Sequence, residues 1–221
     1  MMCRELLTSG QENVCPDCYI KIPRLISPLC FKCGKEIENE EEEYCLDCTT
    51  HKRSYVRGFP GMLYEEPLKA SVAAFKYSGK KSYGKWYAKE IMKRHGEEIM
   101  VLGIEALIPV PIHRKKLRKR GYNQAQTLAE DLGVLLDIPV DTGLLKRTIN
   151  TTAQKELDDV EREKNLKDAF ISTKEIVKYK KVLLVDDIYT TGATIEACTR
   201  ALINMGIQEV YYTSICIGKG K

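Results

Sequence analysis

The chain has 221 residues, 43% of them hydrophobic, which is enough for one sizeable core and a small appendage. A formal charge of +4 excludes a polycation, so any nucleic-acid surface must be local. No apolar stretch approaches the about 18 residues of a membrane span, and MMCRELLTSGQEN lacks a signal peptide's apolar centre, so no membrane span and a cytoplasmic location are expected.

The cysteines are unevenly placed. Seven of nine fall within the first 48 residues: Cys3, Cys15, Cys18, Cys30, Cys33, Cys45 and Cys48. Six of these form C-x-x-C pairs, which in a reducing compartment argue for metal and against disulfides. Residues 1–54 show little helical or strand periodicity and too few apolar side chains for a core. Such a segment needs a staple, and zinc supplies one. Cys30-Phe-Lys-Cys33-Gly and Cys45-Leu-Asp-Cys48 are the best pair of knuckles for one four-cysteine zinc site. Cys15-Pro-Asp-Cys18 is a third knuckle, with Cys3 its candidate partner. The position three residues after Cys3 is Leu6, so this second site has three cysteines and needs another ligand, such as His51. A single zinc on Cys15, Cys18, Cys30 and Cys33 is the alternative. Either site is closed and structural. The module would hold DNA, a partner protein or the rest of the chain. Glu40 to Glu43 read as a solvated acidic loop between knuckles, and Cys198 and Cys216 as small core residues.

From residue 55 onward, strands and helices alternate. Residues 56–64 read as a strand interrupted at Pro60-Gly61. Pro67 opens a helix with Leu68, Val72 and Phe75 at helical spacing, and residues 85–95 form a second helix. A short buried strand follows at residues 106–110. Asn123 caps a helix over residues 124–136, with Leu128, Leu132 and Leu135 on one face. Strands at residues 181–185 and 210–217 enclose a helix over residues 195–205. This pattern predicts an α/β fold, a mostly parallel sheet flanked by helices, behind a small zinc-ribbon-like module. The expected units are residues 1–54 and 55–221.

The segment Val182-Leu-Leu-Val-Asp-Asp-Ile-Tyr-Thr-Thr-Gly-Ala-Thr194 carries the most chemistry. A buried strand ends at Asp186 and Asp187, a tight loop follows, and then a helix N-terminus. Loop amides and the helix dipole make an anion pocket there. Hydroxyls of Thr190, Thr191 and Thr194 add donors, and Gly192 permits close backbone approach. Two carboxylates ahead of a phosphate cradle suit a sugar phosphate, because they accept hydrogen bonds from ribose hydroxyls.

Two further segments are polar. Six of the eight residues from His113 to Arg120 are Lys or Arg, and they read as an electropositive loop at a strand end. Such a loop faces pyrophosphate, tracks a nucleic-acid backbone, or is a plain solvated turn. Tyr122 beside it is placed to stack a base. Arg147-Thr-Ile-Asn-Thr-Thr-Ala-Gln154 leads into a charged stretch that carries Arg162 and Asn165.

VLLVDDIYTTGAT resembles the phosphoribosyl pyrophosphate (PRPP) motif of type I phosphoribosyltransferases. With PVPIHRKKLRKRGYNQAQTLAEDL, TTAQKELDDVEREKNLKDAF, Phe75-Lys-Tyr-Ser-Gly79 and the cysteine-rich head, the whole chain resembles the ComF family. That resemblance implies a type I phosphoribosyltransferase-like domain behind a zinc-binding segment, and a link to competence and the handling of imported single-stranded DNA. It departs from the commonest pattern at Leu6, which bears on the Cys3 site alone. The resemblance implies that residues 190–194, Ala193 included, hold a 5′-phosphate, and that Asp186 and Asp187 hold the ribose. Arg114 would meet pyrophosphate with Mg²⁺, and Arg162 would close over the site. The expected ligand is PRPP or ribose 5-phosphate; the expected partners are single-stranded DNA and competence-machinery proteins. The rival expectation is a non-catalytic binding protein that keeps the pocket, because no acceptor-base pocket is recognisable.

Overall fold

The computed structural model describes residues 14–148, 170–172 and 178–219. Two short helices, α1 (Pro16–Ile20) and α2 (Leu46–Thr50), belong to the cysteine-rich head. Then come β1 (Gly58–Leu63), α3 (Leu68–Tyr77), α4 (Tyr83–Val101), β2 (Ala106–Pro109), α5 (Arg114–Arg120) and α6 (Gln124–Leu136). The remaining elements are β3 (Leu145–Arg147), β4 (Phe170–Ser172), β5 (Lys181–Tyr189), α7 (Ala193–Asn204) and β6 (Glu209–Ile217).

Strands β1, β6, β5 and β2 form one sheet in that order, and every pair in it is parallel. β3 and β4 pair separately and antiparallel. A parallel sheet must be covered on both faces, and β5 shows this in its sequence. Val182, Leu183, Leu184 and Val185 are all fully buried. Because strand side chains alternate, Val182 and Leu184 join one cluster while Leu183 and Val185 join another. The second cluster is built by α3, α4 and α6, through Phe75, Tyr87, Ile91 and Leu128. The first is built by Ile195, Cys198 and Leu202 of α7, together with Leu25, Cys30, Cys33, Ile37 and Cys45 of the head. On that face the cysteine-rich segment takes a place that a helix would otherwise fill.

Several elements differ from the sequence expectation. β1 runs through Pro60 and Gly61 without interruption. It is an outer strand, and Pro60 needs no ladder donor on the open side, where its carbonyl accepts from His95 Nε2 at 3.0 Å. α4 extends beyond both expected ends. Asn123 caps α6 as expected, its side chain accepting from the Ala125 amide at 3.1 Å, and Leu128 and Leu132 are buried. Leu135 is exposed, while Leu136 of the same last turn packs against the core. Among the described residues no helix is long and apolar enough to cross a membrane.

The expected basic loop is instead the helix α5. His113 caps it by accepting from the Lys115 amide at 3.2 Å, and Gly121 ends it at φ 81°. Lys, Arg and Leu all favour helix, so a capped basic run of this length need not stay a loop.

Candidate functional site

β5 stays paired with β6 as far as Tyr189 opposite Ile217, whereas β2 stops at Pro109 opposite Val185. Asp186 and Asp187 therefore lie within the β5–β6 ladder but past the end of β2, rather than at the end of their own strand. The crevice of an open parallel sheet forms at such a place, outside the carboxyl ends of the strands.

Asp187 Oδ1 is paired with Lys76 Nζ at 2.9 Å, and each side chain is 16% exposed. Burial alone would lower the Lys76 pKa, but the Asp187 carboxylate more than offsets it and holds the ammonium above its ordinary value. Among the described residues Asp186 has no such partner at contact distance. Its Oδ1 accepts from the Asp187 amide at 2.8 Å. Burial first, and repulsion from Asp187 second, push its carboxyl up to about 7. Two adjacent acids thus differ: one is ion-paired, and the other shares a proton with solvent near neutrality.

The loop after β5 turns at Gly192, whose φ is 76°. A side chain there would also run into the Tyr189 hydroxyl, so glycine is required twice over. Thr190 is exposed and Thr191 half-buried, and α7 begins at Ala193. The first amides of a helix have no partner within it; here the Ala193 amide donates to Thr191 Oγ1 at 3.5 Å.

Cations converge on this crevice from three elements. Lys76 comes from the last turn of α3. Lys116 of α5 is half-buried, and burial, then Arg147, Arg120 and Lys76, lower its pKa. Arg147 belongs to β3; burial lowers its pKa, and Cys198 and then Asp186 oppose that shift. At Lys116, burial and neighbouring cations act in the same direction, an environment that a bound anion would relieve. Arg114 is exposed at the start of α5. Arg162 lies outside the described residues. The structure thus brings Asp186, Asp187 and residues 190–194 together, and adds Lys76, Lys116 and Arg147. Lys76 stands in the segment Phe75-Lys-Tyr-Ser-Gly79, but nothing local shows that the end of α3 meets β5.

Tyr122 is not available to stack a base. It is buried, its hydroxyl donates to the Phe75 carbonyl, and Lys81 lies over its ring. The exposed aromatic of this region is Tyr77, 66% exposed, with the Arg120 guanidinium 4.8 Å from its ring centre.

The second candidate site is in the head. The thiols of Cys30, Cys33, Cys45 and Cys48 lie within 4.8 Å of one another, with Cys33 and Cys45 sulfurs 3.6 Å apart. A tetrahedral zinc with sulfur at about 2.3 Å requires sulfur–sulfur edges of about 3.8 Å, so the donor set fits. Four thiols this close cannot ionise together without a cation among them. Each knuckle turns locally: the Gly34 amide donates to the Cys30 carbonyl at 2.8 Å, and the Cys48 amide to that of Cys45 at 2.9 Å. Gly34 has φ 75°, and a Cβ on it would sit 2.6 Å from Pro60 Cδ, so β1 packs directly on the knuckle. Cys15 is buried and Cys18 half-buried. Cys3 lies outside the described residues. His51 faces Asp47, with Nδ1 3.3 Å from Oδ1.

Comparison with known proteins gives two family matches and a set of relatives. A family model of the phosphoribosyl transferase domain matches residues 117–219, and one of the double zinc ribbon domain matches residues 1–49. Competence protein F of Haemophilus influenzae is 31% identical over 94% of this chain and 92% of its own length. Competence protein ComFC of Bacillus subtilis is 26% identical over 90% of this chain and 82% of its own. DNA utilization protein YhgH of Escherichia coli K12 is 25% identical over 97% and 95%.

Proposed function

We propose that this chain, which belongs to the ComF family, binds PRPP in the crevice beside Asp186 and Asp187 and serves competence or DNA utilisation in the cytoplasm. The observation that supports it best is the acid pair past the end of β2. An open helix N-terminus follows it, and Lys76, Lys116 and Arg147 surround it. In this reading the residue 190–194 loop takes the 5′-phosphate through backbone amides and the hydroxyls of Thr190, Thr191 and Thr194. Asp186 and Asp187 accept from the ribose hydroxyls. Lys76, Lys116, Arg147 and Arg114 meet the pyrophosphate, and Arg162 closes over the site. Mg²⁺, when bound with PRPP, supplies charge neutralisation on the pyrophosphate oxygens.

Catalysis, where it occurs, is phosphoribosyl transfer. A nucleophile bonds to ribose C1, the bond from C1 to the pyrophosphate oxygen breaks, and pyrophosphate departs with the electron pair. The transition state is rich in positive charge at the ring, so the protein's part is positioning and charge placement. Asp186 and Asp187 stand where that positive charge develops. One structural zinc on Cys30, Cys33, Cys45 and Cys48 completes the reading, with the chain organised as units 1–54 and 55–221. Calorimetric titration of PRPP with Mg²⁺ tests it. The parent should bind, and Asp186→Asn/Asp187→Asn should bind about ten-fold or more weakly, because charged hydrogen bonds contribute about 1.5–3 kcal/mol each. Equal affinity would remove the pocket assignment. Pyrophosphate release with candidate acceptors then tests transfer.

A second reading has its own support. α5 exposes Arg114, Lys115, Arg118 and Lys119, and Tyr77 stands exposed under Arg120. A basic helix beside a solvated aromatic suits single-stranded DNA, through phosphate contacts and one stacked base. Competence-machinery proteins are further candidate partners. The affinity for a labelled oligonucleotide, read by anisotropy, should fall with salt, log K against log salt having a slope of about −0.7 per neutralised phosphate. Lys115→Glu/Lys119→Glu should reduce binding while PRPP affinity stays. Binding indifferent to those reversals would rule out α5 as the DNA surface.

A further inference from the structure

We propose that Arg53 is a positioning residue that fastens the phosphate loop to the second zinc knuckle, so that the metal state of the head sets the order of the loop. The chain of contacts is short. Arg53 Nη2 donates to the Thr191 carbonyl at 2.8 Å and to Asp47 Oδ1 at 3.1 Å, and its side chain is 2% exposed. Asp47 lies between Cys45 and Cys48 in the knuckle itself. Its other oxygen, Oδ2, accepts from the buried Lys35 at 3.2 Å. Thr191 is the middle of the loop, directly before Gly192.

A guanidinium so deeply buried is costly unless its charge is met. Asp47 meets it, and Asp47 is held where the knuckle puts it. Loss of the metal leaves Cys45 and Cys48 with no common centre, so the turn between them loosens. Asp47 then no longer fixes the guanidinium, and the bond to the Thr191 carbonyl is lost to solvent. The adjoining residue strengthens the same seam. Ser54 donates from its amide and its hydroxyl to Glu196 carboxylate oxygens, each at 2.7 Å, and Glu196 is a buried member of the first turn of α7. Arg53 and Ser54 thus grip the loop and the helix start together, from the end of the head.

The proposal rests on reading residues 190–194 as the phosphate loop, but the first test needs no ligand. Amide hydrogen exchange is measured on the full chain, as parent, Arg53→Ala and Asp47→Asn, and on chelated parent, with zinc per chain determined for each. Exchange at residues 190–194 should rise about ten-fold or more in Arg53→Ala, the factor for losing one charge-assisted hydrogen bond. It should rise comparably in Asp47→Asn, while α6 is unchanged and both variants keep the parent's zinc. Chelated parent should show the same rise. Arg53→Ala/Asp47→Asn should be no worse than either alone, because the two act through one contact. Unchanged loop exchange in a zinc-loaded Arg53→Ala, or in Asp47→Asn should the first variant fail to fold, overturns the proposal. So does unchanged loop exchange after zinc removal. PRPP titration forms a separate arm. If the parent binds PRPP, Arg53→Ala should bind it more weakly, since the loop must then be ordered by the ligand, and equal affinity counts against the proposal. If the parent binds none, the PRPP reading fails, and the exchange data alone decide the linkage.

Discussion

At the scale of single residues, the acid pair is divided by its neighbours. Asp187 has Lys76 at 2.9 Å, while Asp186 is half-buried beside a like charge. The Asp186 carboxyl lies at about 7 against an ordinary 3.8. Between those values the folded state holds a proton that the unfolded chain has lost. Its burial therefore costs nothing at low pH, costs progressively more as pH rises through that window, and costs most above it. Asp186→Asn should melt close to the parent at about pH 4 and several degrees higher at about pH 8. A variant that is no more stable than the parent at the higher pH would contradict this environment. Lys76→Ala leaves the Asp187 carboxylate without its partner and removes one pyrophosphate contact. PRPP affinity should drop about ten-fold, with Lys76→Arg recovering part of it; a Lys76→Ala affinity equal to the parent's would exclude Lys76 from the site.

At the scale of elements, the knuckles and α5 are the informative pieces. The Cys30 and Cys45 turns bring four sulfurs to the spacing of a zinc tetrahedron without help from Cys15. Metal analysis of Cys30→Ser/Cys45→Ser should show the loss of this zinc, and Cys15→Ser should keep it. The reverse result would mean that Cys15 is a ligand and the set is wrong. α5 became a helix because His113 and Gly121 supply its two ends. Helix geometry then separates its charges: Lys116 turns towards the acids, while Lys115 and Lys119 point to solvent. One basic run in the sequence thereby acquires an inner and an outer face.

At the scale of the whole molecule, the two faces of the sheet rest on different supports: the Cys30–Cys48 part of the head joins one cluster, while Val14 and Ile22 at its start join the helices α3, α4 and α6 in the other. Tyr55, Tyr189 and Tyr212 pack together on the face that the head covers: Tyr189 stacks on Tyr212 with ring centres 4.8 Å apart, and Tyr212 donates to the Cys33 carbonyl at 2.7 Å. Trp86, the chain's one tryptophan, belongs to the opposite cluster with α4 and α6. Zinc removal should therefore change the near-ultraviolet signal of the tyrosines at a chelator concentration where Trp86 emission is still that of the parent. Simultaneous change of both signals would show that the faces are not separately supported.

The sequence by itself determined the strands of the parallel sheet and the longer helices, though not α5, β3 or β4. Four buried residues ahead of Asp186 specified a strand covered on both sides; Asn123 and Pro67 marked helix starts; paired cysteines specified knuckles, and Gly192 a place of close approach. These signals are local, because strand alternation, capping and short ligand spacing operate over a few residues. What only the tertiary structure decided is which distant residues meet. Lys76 reaches Asp187 because β2 ends early and α3 covers that face. Tyr122 is buried because its hydroxyl finds the Phe75 carbonyl, and Arg53 reaches Thr191 because the head lies on the sheet. Such contacts depend on strand order and on which face each element covers, and no pattern along the chain encodes a pairing between residues that far apart.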